Sequence, residues 1–187
     1  MTSTLRIFVA GPLLAGASST LRHLGRWSHP EFDPRSGPAE GPWTLSHSPD
    51  LSLIVRQHTR TTDVHDLVSD VAKDARYQLE LDYLSKADGF IYVVDSQTAR
   101  LEANCDVLNG YKRAFKHLGR DLREIAMVFQ LNKQDLPNLT LEAELRTALQ
   151  WPHSEYVRTI AHQGIGIGKM LTVTVQLCKR VRSSHLL

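Results

Sequence analysis

Three stretches of the chain are apolar with almost no alternation: Leu5–Ala10, Gly89–Val94 and Ile125–Leu131. Each is short and rich in β-branched and aromatic residues. Strands buried on both faces of a sheet carry this pattern. Leu51–Thr59 instead sets Leu51, Leu53 and Val55 against Ser52, Ile54 and Arg56. It predicts a strand paired across Pro49-Asp50 with one that begins at Trp43-Thr44-Leu45. Apolar residues at Leu67, Val68, Val71, Ala72, Ala75 and Leu79 fall at helical spacing within Val64–Leu84. Further helices are expected from Ser18 to Leu24 and over Arg100–Leu118, Leu141–Leu149 and Ile167–Val181, with a short strand at Glu155–Ile160. Between Gly25 and Asp50 stand Pro30, Pro34, Pro38, Pro42 and Pro49, which mark a loop region. Buried strands alternating with helices argue for an α/β fold with a mainly parallel sheet.

Composition narrows the function classes. The chain has 187 residues, 42% hydrophobic and 22% charged, ordinary for one globular domain and too apolar for a disordered chain. A single domain over residues 1–187 is expected. The 22 basic and 20 acidic side chains leave a net charge of +2. That is no field for non-specific binding to nucleic acid or an anionic membrane. The longest unbroken apolar runs, Phe90–Val94 and Ile125–Phe129, are far short of a membrane span. Thr2 follows Met1 where myristoylation would need glycine, and no prenylation box closes the chain. Cys105 and Cys178 have no metal-type spacing. The expectation is a cytoplasmic protein with no direct membrane anchor. Lys179, Arg180 and Arg182 suit the C-terminus of the last helix as a solvated face.

Two segments carry candidate chemistry. Gly11-Pro12-Leu13-Leu14-Ala15-Gly16-Ala17-Ser18-Ser19 follows a strand and opens a helix. It is set against the phosphate-loop pattern G-x-x-x-x-G-K-[ST]. Gly11, Gly16 and Ser18 fit, and Ala17 stands where the lysine belongs. Glycines let backbone N–H groups turn inward round a phosphate, and the helix N-terminus adds positive potential. Losing the lysine costs about 2–3 kcal/mol of charge-assisted contact. The same residues also suit a tight strand-to-helix turn with a serine cap. Ser18 is the candidate ligand for magnesium, held weakly.

Asn132-Lys133-Gln134-Asp135 follows the third buried strand. This is the N-K-x-D pattern of guanine recognition. A carboxylate accepts from the two adjacent N–H donors of guanine, which adenine lacks. The lysine stem can cover the base face, and the asparagine can tie this loop to the phosphate loop. A polar helix-capping cluster is the plainer alternative. Thr159-Ile160-Ala161-His162-Gln163-Gly164 follows the last strand. It resembles the loop that places the backbone N–H of an alanine on the guanine carbonyl, with Ala161 at the matching position.

Gly11-Pro12, the run Asp88–Gln97 with Arg100, Glu102, Ala103 and Asn104, and Asn132–Asn138 together resemble bacterial small GTPases of the gliding-motility (MglA) type. The resemblance is close from Ala87 to Trp151, fair over Leu5–Leu24 and Tyr156–Val181, and poor between. It implies a Ras-like G domain, a six-stranded mostly parallel sheet with one antiparallel strand, flanked by helices. It also implies GTP or GDP as ligand, a role in cell polarity or surface motility, and a roadblock-fold, MglB-like activator as partner.

The departures fall on one side of the expected site. A D-x-x-G- or T-x-P-G-type segment should end the third strand of such a domain, its glycine N–H on the γ-phosphate. No glycine occurs between Pro42 and Asp88, and Arg60–Asp66 matches neither known pattern. Asp63 and Asp66 are simplest as helix caps. Thr44 is not fixed by any motif as a metal ligand. The expectation is therefore a degenerate G protein with weak guanine-nucleotide binding, no assigned catalytic residue and little or no hydrolysis. The competing expectation is a nucleotide-free scaffold acting only through protein contacts.

Overall fold

The computed structural model describes the backbone of residues 3–28, 43–48, 51–57 and 81–184. The elements are β1 (Ser3–Ala10), α1 (Ala17–Ser28), β2 (Trp43–Ser48), β3 (Leu51–Gln57), β4 (Gly89–Asp95), α2 (Leu101–His117), β5 (Ala126–Asn132), α3 (Glu142–Leu149), β6 (Glu155–Arg158) and α4 (Ile167–Ser184). They form one six-stranded sheet in the order β2-β3-β1-β4-β5-β6. β1 runs parallel to both β3 and β4, and β5 continues the parallel set to β6. β2 pairs antiparallel with β3. The expected sheet, six strands with one antiparallel, is the one observed.

Every residue of β4 and β5 is buried, which is why these strands lack alternation in the sequence. Their side chains still divide by face. Ile91, Val93 and Val128 join Leu5, Ile7, Val9, Leu21 and Leu24 of β1 and α1, and Ile167, Met170 and Val175 of α4. Phe90, Tyr92 and Phe129 join Phe8 and pack under α2 with Leu108, Tyr111 and Phe115. Phe90 and Tyr111 meet edge to face, with ring centroids 5.1 Å apart. β1 lies between β3 and β4, with the next two strands of the chain laid down on one side of it and the last three on the other. The loop after β1 therefore opens at the point where strand order reverses, the usual ligand crevice of such sheets.

Some element limits move. α1 continues through Gly25 to Ser28, into the stretch read as loop. A helical glycine costs about 1 kcal/mol against alanine. Leu21 and Leu24, both fully buried, carry the helix past it. α2 is preceded by a 3₁₀ turn over Thr98–Arg100. β6 stops at Arg158, because Ile160 turns to pair with Ile165. α4 runs on to Ser184. There Arg182 is no mere solvated residue. Its Nη2 donates to Thr4 O at 2.7 Å and to Asp88 Oδ1 at 2.9 Å, pinning the helix end to the start of the sheet.

The helix expected over Val64–Leu84 lies outside the described residues except at 81–85, which are helical with Leu81 and Leu84 buried. Arg60–Asp66, with Asp63 and Asp66, also lies outside them. Thr44 falls in β2, opposite Ile54.

Candidate functional site

Three loops converge at the carboxyl ends of β1, β5 and β6. Asn132, the last residue of β5, joins all three. Its Nδ2 donates to Ala15 O of the first loop at 2.6 Å. Its Oδ1 accepts from Ala161 N at 2.8 Å and from Thr159 Oγ1 at 3.2 Å in the loop after β6. Asn132 is 4% exposed, so each of these bonds satisfies a group that water cannot reach. The tie from asparagine to the phosphate loop, expected from the sequence, is present. The Ala161 N–H expected to serve a base carbonyl is held by Asn132.

A second buried amide lies beneath the first. Gln130 Nε2 donates to Thr20 Oγ1 of α1 at 2.8 Å and to Thr159 Oγ1 at 3.1 Å. Thr20 in turn bonds Gly16 O at 3.1 Å. Gln130, Thr20 and Thr159 are all buried, and sequence reasoning passed over them. The available signal was a lone glutamine inside an otherwise apolar strand. A polar side chain there must be hydrogen-bonded, so it must serve a neighbouring element.

The first loop, Gly11–Gly16, passes close under the others. A Cβ on Gly11 would strike the carbonyl of Val93, and one on Gly16 would strike the Asn132 amide. Gly16 also has φ of +111°, which strongly favours glycine. Leu14 adopts φ of +65° without being glycine. That costs a non-glycine residue about 1–2 kcal/mol. Leu13 and Leu14 are 47% and 77% exposed. Ala15 N closes a turn on Pro12 O at 3.0 Å, and Thr20 N begins the α1 ladder on Gly16 O at 2.9 Å. Ala17 packs into the core between the sheet, α1 and α4. Ser18 and Ser19 follow in the first turn of α1, half-buried.

On the other side, Lys133 adopts φ of +66°. Its Nζ lies 2.7 Å from Asp95 Oδ2 at the end of β4. The Asp95 carboxylate also caps the following turn, accepting from Gln97 N at 3.2 Å. Its backbone is clamped by buried Asn104, whose Oδ1 accepts from Asp95 N and whose Nδ2 donates to Asp95 O. Gln134 Nε2 donates to Ser96 Oγ at 2.9 Å. Asp135 is 28% exposed, with His162 Nε2 at 3.9 Å. Arg100 reaches across from the turn before α2, its Nη2 donating to Leu13 O at 2.9 Å.

These groups suit a guanine nucleotide unequally. At one end stands an accessible carboxylate, Asp135, on a loop fixed by buried bonds. At the other, a glycine-bearing loop opens a 12-residue helix, but Ala17 supplies no charge. For a metal, the described residues hold no group of three His, Cys, Asp or Glu that could ligate one. Ser18 is the one metal ligand expected there. No described helix is long and apolar enough to cross a membrane.

The sequence model of the ADP-ribosylation factor family matches residues 65–181. That match takes in the loops after β4, β5 and β6. The mutual gliding-motility protein MglA of Myxococcus xanthus (strain DK1622) is 35% identical over 94 residues, 50% of this chain and 48% of that protein. The matched part is thus about half of that relative's length. The fold is similar to that of the Arl6 BBS3 small GTPase from Trypanosoma brucei, solved with the nucleotide analogue GppNp. The TM-score is 0.65 at 18% identity, over 95% of this chain and 99% of that one. At that identity the likeness is one of fold.

Proposed function

Because the chain belongs to the ADP-ribosylation factor family of small GTPases, we propose that it is a degenerate regulatory switch. It binds guanine nucleotide weakly and hydrolyses GTP little or not at all. Asp135 takes the paired N–H donors of the base, the Lys133 stem covers a face of it, and Ala161 N–H is shared between Asn132 and the base carbonyl. Backbone N–H groups of Gly11–Ser19 and the dipole of α1 take the phosphates. Ser18 is the protein's weak ligand to Mg²⁺, which when bound neutralises phosphate charge.

The observation that carries this reading is the Asn132 side chain, which bonds Ala15 O and Ala161 N from one buried position. A single amide thereby sets the spacing between a base end and a phosphate end. Base recognition needs no cation, whereas phosphoryl transfer depends on charge and positioning at the phosphates. A second reading, a nucleotide-free scaffold, draws on Ala17, which the core buries where a cation should be.

The deciding experiment denatures the purified protein and chromatographs the supernatant for GDP and GTP. The nucleotide-free protein is then titrated with a fluorescent guanine nucleotide. Binding in the micromolar range with negligible turnover is expected. No binding at hundreds of micromolar, weaker than about −5 kcal/mol, leaves the scaffold reading.

A cytoplasmic role as switch or adaptor in polarity or motility is part of the proposal. The motility part is suggested by the gliding-motility role in the name of the Myxococcus relative. So is a roadblock-fold, MglB-like partner. Co-purification with such a partner only in the presence of GTP is the expected outcome.

A further inference from the structure

We propose that Arg100 is the positioning cation of the phosphate loop, acting from outside it in place of the lysine that Ala17 replaces. The inference rests on the nucleotide reading above. In an anion-binding loop the N–H groups point inward and the carbonyls outward. Arg100 Nη2 sits on one of those carbonyls, Leu13 O, at 2.9 Å. It therefore grips the back of the loop and leaves the cradle clear.

Asp95 holds the guanidinium in place. Its carboxylate, 1% exposed, lies 3.6 Å from Arg100 Nε and 2.7 Å from Lys133 Nζ. Two cations share one buried anion, so the group keeps one net positive charge between the base loop and the phosphate loop. Lys133 is committed to the shorter of the two contacts. Arg100, with its side chain 37% exposed, is the member that touches the phosphate loop. Its planar fork reaches a carbonyl and a carboxylate together, which a lysine ammonium does less well. The loop needs such a hold, since Leu14 is at φ +65° and largely exposed.

The test compares wild type, Arg100→Gln and Arg100→Lys by calorimetric titration with guanosine and with GDP, at low and high salt. A second arm follows amide hydrogen exchange over residues 11–16 without nucleotide. Arg100→Gln is expected to weaken GDP about tenfold while guanosine stays within about twofold. The GDP loss shrinks at high salt, because it comes from charge. Arg100→Lys recovers part of it, and loop amides exchange faster in Arg100→Gln. Equal losses for guanosine and GDP, or a GDP loss indifferent to salt, overturn the proposal. If wild type binds neither ligand, the nucleotide reading fails by itself. Unchanged loop exchange in Arg100→Gln then overturns the positioning role, and faster exchange upholds it.

Discussion

The two ends of the proposed nucleotide site are built by different means. At the base end, loops are fixed by buried amides and by backbone bonds such as Ser96 N to Asn132 O and Thr140 N to Ser96 O. At the phosphate end, the loop carries two exposed leucines and one non-glycine residue at positive φ. Its cation position is an alanine in the core. The family match covers the first end and begins after the second. The difference separates two physical tasks. Base selection is geometric and survives as long as donors and acceptors stay fixed. Phosphate binding also needs charge, and here the charge stands behind the loop.

Removing the side chain that bonds the loops of both ends directly has the largest effect. Asn132→Ala leaves Ala15 O and Ala161 N unpaired in a buried place. It should cost about 2–4 kcal/mol of stability and abolish nucleotide binding, read by urea unfolding and by titration. A variant that unfolds at the wild-type midpoint would mean that the two ends are held independently. The next largest effect restores charge. Ala17→Lys should tighten GDP about 30- to 150-fold, about 2–3 kcal/mol, and leave guanosine unchanged. Titration with both ligands checks it. If GDP does not gain in a variant that unfolds at the wild-type midpoint, the loop is no phosphate cradle and the scaffold reading stands.

Much of this contrast was legible in the chain itself. Asn132–Asp135 is local in sequence, so its pattern survives without knowledge of the fold, and Ala17 stands out within an otherwise matching loop. The short apolar runs marked the buried strands, and the resemblance to the small GTPases implied the six-stranded sheet, but the order of strands within it is visible only in the structure. What stayed hidden was contact across distance. Arg100 lies far along the chain from Leu13, and its bond to that carbonyl depends on how β1 and β4 lie side by side. Asp95 makes one local bond, capping the turn after β4. Its pairing with Lys133 and Arg100 needs the ends of β4 and β5 in register. Gln130 was visible, but its partners Thr20 and Thr159 were not. The glycine and proline punctuation does not mark the end of α1, because buried Leu24 carries the helix past Gly25 to Ser28.

A smaller effect tests base selection alone. Asp135→Asn should weaken guanine nucleotide by about 1–3 kcal/mol and improve a xanthine nucleotide, whose extra carbonyl meets the new amide donor. Stability should hardly change, since the Asp135 side chain is partly exposed and, among the described residues, its carboxylate has the His162 ring at 3.9 Å as its ion-pair partner. An unchanged guanine-to-xanthine ratio in parallel titrations would put the base site elsewhere.

The smallest expected effect is the sharpest test of how the base end is fixed. Gln134 occupies the unspecified position of the N-K-x-D pattern, and its side chain bonds Ser96 Oγ at 2.9 Å in a half-buried place. Gln134→Ala should cost about 0.5–1.5 kcal/mol of stability and leave guanine affinity within about twofold. The loop keeps Ser96 N on Asn132 O, Thr140 N on Ser96 O and Gln134 N on Thr159 O, all through backbone that the substitution does not remove. The first two bonds join the same two loops as the Gln134 side chain, and the third ties Gln134 to the loop after β6, so losing one side-chain contact lets neither loop drift. A tenfold fall in guanine affinity would show instead that the base loop hangs on a single side chain. The base end would then be as lightly held as the phosphate end, and the contrast between them would rest on charge alone.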